Sequence, residues 1–483
     1  MSENLRQRAV QGSLYLTLRR MVSLTLAAVG MLYVTRVVGP SNYGLFAAVV
    51  GIHTYLMQIV VMGIRTYLIR ASQDAPRELF HQAFWWLLTV SVVLSLGAWG
   101  IVAALGHLWI REAGLATVAA AVFVMLPLFG GTVVSQAILE RELHYKRIAF
   151  IDSSAQAASY LVGVPMAQMG FGVWALVGAF WAAQLTTTIA SFLSSRYRPR
   201  WYWEWRTLQE MLRYGLAQAA SEWLYYSKNL APALILLPLA GKEAVGYFAL
   251  ANRLMEMLNF VQTAIQRVTV PVLARVQDQP AKLLHALYLS SQAQILSLGV
   301  LCLGFVLSAW YVLPPLFGAQ WDIRKAVLTL AILASEQLLT ITFSAQAQAL
   351  YVIRQPQVVT RAAAFFLVNL YASTALLTAL FPAGWQVVGY GIAYYWAHLP
   401  NNIFLHRGIS RYIGRPYYGV NLWWALALSV ALFAPIAFYA PLLALGIFAL
   451  PVSRRALYAL YAELRGARQP ENGGSIRYGS TSD

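Results

Sequence analysis

The stretch Gly39-Pro40-Ser41-Asn42-Tyr43-Gly44-Leu45-Phe46-Ala47 returns later in the chain as Gly241-Lys242-Glu243-Ala244-Val245-Gly246-Tyr247-Phe248-Ala249. Each shared residue is displaced by 202 positions, and the same offset carries Arg65 onto Arg267. Both copies lie between long apolar runs. A helix crosses about 30 Å of hydrocarbon with about 20 apolar residues, so each copy reads as the turn between two spans. A repeat of this length is a block of several helices that occurs twice.

Working outward from the two turns, apolar runs fall at 12–38, 43–70, 80–106, 115–138, 148–168 and 172–195. They resume at 212–239, 244–272, 283–310, 326–351, 358–381 and 385–406. A last stretch, 422–452, is interrupted by Pro435, Pro441 and Pro451. It reads best as two short spans, for 14 in all, with one long span as the alternative. Arg19 and Arg20 precede the apolar residues of the first run, which reads as an uncleaved span rather than a signal peptide. Six spans per block is an even number, so both blocks enter from one face. An axis along the membrane normal then relates them, with a central cavity between. The expected architecture is an all-α polytopic membrane protein of two six-helix lobes, at 1–195 and 214–406, joined by an interfacial linker at 196–213. Two extra spans lie within 407–465, and a polar, disordered tail follows at 466–483.

Composition narrows the class. The 483 residues are 59% hydrophobic and 11% charged, against roughly 25% charged in a soluble domain. A cytosolic globular enzyme, a disordered chain and a disulfide scaffold are all excluded. Cys302 is the single cysteine, so no intramolecular disulfide exists. No polar insertion is long enough to hold a soluble catalytic domain.

The net charge of +17 is distributed unevenly. With the N-terminus placed in the cytoplasm, inner segments hold 24 Lys and Arg, and outer segments hold five: Arg36, Arg111, Lys242, Arg324 and Lys325. Cytoplasmic loops carry such an excess, so both termini are expected on the cytoplasmic side of the membrane. The linker reads RYRPRWYWEWRTLQEMLR, with arginines interleaved with Trp201, Tyr202, Trp203 and Trp205. Basic and aromatic alternation can stack single-stranded nucleic acid. Between two spans it reads instead as an interfacial segment, with rings at headgroup level and arginines on anionic lipid. No nucleic-acid partner is expected.

Several motifs now carry a family likeness. The turn at 39–47 resembles that of the polysaccharide transporters, the Wzx-type oligosaccharide flippases of the multidrug/oligosaccharidyl-lipid/polysaccharide exporter superfamily. So do Arg141-Glu-Leu-His-Tyr-Lys146-Arg147-Ile-Ala and Gly172-Val-Trp174-Ala-Leu-Val177. So do Gly246-Tyr-Phe-Ala-Leu-Ala251 and Arg267-Val-x-x-Pro271. The likeness covers roughly residues 5–410. It implies a cavity between two six-helix lobes, lined by spans one, two, seven and eight. It also implies a polyprenyl-pyrophosphate-linked oligosaccharide as cargo, membrane lipids around it, and a polysaccharide polymerase and glycosyltransferases as partners. One departure stands out. Relatives carry Asn-x-Asp in span seven, whereas this chain has Asn229-Leu230-Ala231-Pro232. An acid that couples ion movement in relatives is absent at that place.

No catalytic constellation emerges, and an enzyme is not expected. The seven histidines are scattered, and no zinc, P-loop or nucleophile-elbow motif occurs. The informative residues are charges inside spans, each costing about 2.5–3.5 kcal/mol at a helix centre unless it faces water or a partner. Arg19, Arg20, Arg65, Lys228, Arg253 and Arg267 are the candidates for a pyrophosphate site, since a guanidinium grips phosphate oxygens bidentately. The bland readings stand beside this. Arg65 and Arg267 can snorkel to headgroups, and Arg253 can pair with Glu256 three positions on. Trp223, Tyr225, Tyr226, Asn259 and Gln262 are candidates for sugar contacts. Glu222, Glu256 and Glu336 are candidates for coupling to H+ or Na+. No other cofactor and no metal is expected. Three other functions remain open: a multidrug/cation antiporter, a lipid II flippase, and a membrane glycosyltransferase or ligase. The first would favour carboxylates over a cluster of cations, and the last would need a long outer loop.

Overall fold

The computed structural model describes residues 3–71, 76–110, 112–434, 437 and 440–466; for 3–29, 31, 107, 217, 218, 221, 310, 443 and 463–466 it describes backbone only. The expected disordered tail, from 467 on, lies outside the described residues. Among those residues the chain is helical throughout, with no strand. In chain order the helices are α1 (Glu3–Val61), α2 (Ile64–Arg70), α3 (Arg77–Leu105), α4 (Leu115–Phe123), α5 (Leu126–Arg141) and α6 (Tyr145–Gln168). Next come α7 (Val173–Ser195), α8 (Trp205–Tyr226), α9 (Leu237–Leu258), α10 (Phe260–Arg275), α11 (Pro280–Phe317) and α12 (Ile323–Val352). The last are α13 (Pro356–Leu380), α14 (Gln386–Tyr412), α15 (Gly419–Ala431), α16 (Ala440–Ala449) and α17 (Pro451–Gly466).

Each of the twelve apolar runs to 406 is occupied by helix. Among the described residues eight helices, or nine with one bent pair, are long and apolar enough to cross a membrane. The stretch 422–452 holds two helices of 13 and 10 residues, about 20 Å and 15 Å long at 1.5 Å per residue. Each is shorter than the hydrocarbon core. α17 continues from α16 after a bend of 71°. Its Arg454 and Arg455 share a short helix with exposed Tyr458 and Tyr461, a pairing of side chains suited to an interface.

The repeated turns adopt the same backbone. Gly39 has φ 78°, ψ 168° and Gly241 has φ 79°, ψ 173°. Positive φ is strained for any side chain with a Cβ, which is why the first shared residue of the repeat is glycine in both copies.

The chain forms two compact units. One comprises the chain to Met257 with Ser308–Leu333 and Pro356–Phe404; the other comprises Leu258–Leu307, Ala334–Gln355 and the chain from Leu405. The first unit holds all of the first repeat block, the opening of the second, and α13 with most of α14. Within it, α1 beyond Gly39 runs antiparallel to the stretch from α8 to α9. Glycines set the spacing: Gly44 lies against Lys242 and Gly246, Gly51 against the carbonyl of Asn229, and Gly63 against Gly215. In the second unit polar side chains bridge helices. Thr269 and Ser290 hydroxyls lie 2.8 Å apart, Gln337 donates to Gln262 (3.0 Å), and Asn421 donates to the Tyr288 carbonyl (3.0 Å), while Gln294 supports Ser290 from within α11 (3.0 Å).

Candidate functional site

The first unit contains a junction, a broken helix and two cationic stations. At the junction the two repeated turns meet. A methyl group on Gly44 would collide with the Lys242 carbonyl, and one on Gly246 with the Pro40 carbonyl. Trp321 closes the same place. It is 3% exposed and lies edge-on to Tyr43 of the first turn (6.2 Å) and Tyr247 of the second (5.4 Å). Its indole donates to the Thr35 carbonyl (3.2 Å), and the Tyr247 hydroxyl accepts from the Asp322 amide (2.8 Å). Ion pairs surround it: Lys242 with Glu112 at 2.6 Å, and Lys325 with Glu243 at 3.7 Å.

The helix of span seven is broken at Asn229-Leu230-Ala231-Pro232. Pro232 has no N–H, so the Lys228 carbonyl cannot take the usual i−4 bond from it. The Ala231 amide bonds that carbonyl instead, and residues Ser227–Leu230 tighten into a 3₁₀ turn before a wider π turn at Pro232–Leu236. Side chains from elsewhere cap nearby carbonyls. Tyr371 donates to Ser227 (2.7 Å), Trp109 to Leu234 (3.2 Å) and Gln386 to Leu239 (3.0 Å). Irregular backbone at membrane depth is tolerated where protein or water satisfies it. Lys228 projects from this break, its ammonium 3.9 Å from the centre of the Tyr225 ring. Trp223 donates to the Gln58 carbonyl (2.9 Å).

The stations are Arg253 on α9 and Arg65 on α2. Arg253 pairs with Glu256 at 2.9 Å, and both side chains are about half exposed. Asn252 donates to the other Glu256 oxygen (3.3 Å). The Arg253 charge is within electrostatic reach of the hydroxyls of Tyr43 and of Tyr160 on α6. Arg65 forms a two-pronged ion pair with Glu140, its Nε 3.1 Å from Oε2, and acts electrostatically on Asp152 of α6. Asp152 and Tyr160 are eight residues apart, about 12 Å along the helix and within about 80° around it.

The sequence candidates thus separate. Arg65, Lys228 and Arg253 fall in the first unit, with Glu222 half-buried beside Tyr226 and Glu256 paired. Tyr225 and Tyr226 pack edge to face. Arg267, exposed, and Asn259, Gln262 and Glu336 belong to the second unit; Glu336, 6% exposed, is the buried acid of the three considered for coupling. Arg19 and Arg20 lie in α1, and their side chains fall outside the described residues. Sequence reasoning missed Glu140, Asp152, Tyr160 and Trp321. Asp152 had a usable signal, an acid inside an apolar run. Trp321 had none, since Thr35, Tyr43 and Tyr247 all lie far from it in sequence.

Family models add a decisive match. Residues 33–325, more than half of the chain, match the model described as "Polysaccharide biosynthesis protein". The chain belongs to the polysaccharide biosynthesis protein family. Two relatives carry telling names. The succinoglycan biosynthesis transport protein ExoT of Rhizobium meliloti (strain 1021) is 24% identical over 54% of this chain and 53% of its own. The lipopolysaccharide biosynthesis protein WzxC of Escherichia coli (strain K12) is 21% identical over 68% of this chain and 67% of its own. The match thus spans about half the length of the first. Among solved structures, the lipid II flippase MurJ in its inward closed conformation superposes with a TM-score of 0.68 at 11% identity, covering 94% of this chain and 100% of its own. An inward-facing multidrug resistance MATE family transporter of the MOP superfamily follows with a TM-score of 0.62 at 14% identity, covering 85% and 95%. At such identities these show the fold alone, the expected all-helical two-lobe architecture. The family member described here shares that fold.

Proposed function

We propose that the protein turns a polyprenyl-pyrophosphate-linked oligosaccharide from the inner to the outer leaflet of a bacterial plasma membrane, by alternating access and without covalent chemistry, for cell-surface polysaccharide assembly. Both termini face the cytoplasm in this reading, supported by the 24-to-5 division of basic residues. The halves 1–195 and 214–406 rock about the junction of the repeated turns. Names of relatives, a succinoglycan transport protein and a lipopolysaccharide biosynthesis protein, support the cargo class. The observation that carries the reading is Arg253. It lies beneath the junction, half exposed, with reach to Tyr43 and Tyr160, and held by a single carboxylate. An isolated ion in hydrocarbon costs tens of kcal/mol, so a pyrophosphate crossing the bilayer needs cations along its way. Arg65 and Arg253 provide two, one paired with Glu140 and the other with Glu256. Arg19, Arg20, Lys228 and Arg267 are further proposed contacts. Polymerase and glycosyltransferases act before and after this step.

The experiment is flipping of a labelled lipid-linked oligosaccharide in vesicles. Arg253→Ala abolishes it and Arg253→Lys keeps part, because a point charge replaces a bidentate fork. Arg253→Gln/Glu256→Gln removes both members of the pair, so folding is kept while flipping stays lost. Recovery of flipping in the double variant would sink the arginine's role. A second reading, lipid II as cargo, is favoured by the MurJ superposition. Lipid II competing at equal concentration would reveal it.

A further inference from the structure

The segment between α7 and α8 is not a slack linker. Its backbone and side chains are stitched to the first turns of α3. The Tyr197 hydroxyl donates to the Phe80 carbonyl (3.2 Å) and lies 3.0 Å from His81 Nδ1, which also accepts the Arg200 amide (3.3 Å). Trp85 donates to the Arg200 carbonyl (2.9 Å), and Gln82, fully buried, accepts the Glu204 amide (2.6 Å). The Trp201 ring lies tilted against Trp85, centroids 4.8 Å apart, and Trp203 lies 6.2 Å from Trp86. The result is a rigid strap. Yet Trp201 is 73% exposed and Trp205 59%. Arg196, Arg198 and Arg200 are exposed, and their side chains make no hydrogen bond or ion pair among the described residues. The basic residues at the junction of the turns differ: Lys242 and Lys325 have acids and Arg36 has the Pro315 carbonyl.

Three unanswered guanidinium groups and exposed indoles, held fixed where two helices of membrane-crossing length begin and end, suit one environment. Indoles settle at headgroup depth, and arginines there meet lipid phosphates. We infer that the strap 196–206 is a binding surface for anionic phospholipid of the inner leaflet, separate from the path of the cargo. Its rigidity matters to the argument: the arginines need no folding step on contact, so little of the attraction is lost to ordering.

The test uses the full-length protein in detergent, titrated with phosphatidylglycerol or phosphatidylethanolamine and read by native mass spectrometry. Each basic residue at an anionic surface contributes about a five-fold gain, so Arg196→Gln/Arg198→Gln/Arg200→Gln is expected to weaken phosphatidylglycerol binding on the order of a hundred-fold. Phosphatidylethanolamine binding stays unchanged, and the corresponding triple lysine variant keeps most of the preference. If the glutamine variant fails to fold, Arg198→Gln alone carries the test, with a loss of about five-fold. Unchanged phosphatidylglycerol binding overturns the proposal, as does an equal loss for both lipids. So does arginine-dependent binding of a labelled RNA oligonucleotide with lipid binding unaffected, which would make the strap a nucleic-acid surface.

Discussion

Gly44 and Gly246 each lie against the carbonyl oxygen of the residue four places before the other: Gly44 against Lys242, and Gly246 against Pro40. The contact is reciprocal, as a two-fold axis between the repeated turns requires. An alanine at either position meets backbone, which cannot swing aside. Overpacking of this kind costs about 1–3 kcal/mol, more than the half to one kcal/mol that alanine gains in a helix. Gly44→Ala is therefore expected to open the junction roughly 5- to 100-fold more often. The readout is outside labelling of a cysteine placed at Asn252, with buried Cys302 silent. Gly44→Ala/Gly246→Ala should cost less than the sum of the singles, because one displacement relieves both collisions. Strict additivity would show that the two contacts are independent.

Trp321 offers a second measurement. Trp321→Ala removes an indole wedged among Tyr43, Tyr247 and Phe317 and should destabilise the protein in detergent by about 3–5 kcal/mol. Trp321→Phe keeps most of the packing and loses the bond to Thr35, for about 0.5–1.5 kcal/mol. Thermal melts that rank the two equally would mean that the hydrogen bond, not the ring, closes the junction.

Coupling is tested among the acids. Glu336 is buried at 6% exposure, and Glu256, about half exposed, pairs with Arg253. A sheltered acid exchanges with water only when a conformational change opens it, which is what coupling needs. Glu336→Gln is expected to flip cargo equally with and without an imposed pH or sodium gradient. Glu222→Gln should retain the gradient effect, and loss of that effect in Glu222→Gln alone would transfer the role to span seven.

The strap carries a pH signature. The Thr207 hydroxyl, and after it that of Tyr202, donates to the Glu204 carboxylate and holds its pKa below the usual range. A depressed carboxyl stabilises the fold above its unfolded pKa of about 4.3, and the benefit is lost as pH falls through the lower folded value. Wild-type melting temperature should therefore fall more than that of Glu204→Gln as pH drops from 6 to 3. Parallel curves would show that this cap contributes nothing measurable.

The spans and the repeat were legible because apolar length and a glycine at positive φ leave marks in neighbouring residues. Residues 39–47 and 241–249 could be matched by eye, and their backbone angles agree within 5°. The arginine stations were legible only by half. A charge inside a span announces itself, but Arg253's partner was three residues away, whereas Arg65's partner is Glu140, 75 residues on in another helix. Pro232 was visible, and the missing aspartate drew attention to it. That the helix would pass through a 3₁₀ and then a π turn depended on donors at Trp109, Tyr371 and Gln386, which no local pattern announces.

The reciprocal contact also bears on how two copies of one block drift apart. Most positions 202 apart are free to change separately, since each answers to different neighbours. The glycines at 44 and 246 are not: each is fitted to the backbone of the opposite copy. A substitution in one copy is resisted by the other, so the pair behaves as a single inherited character written twice.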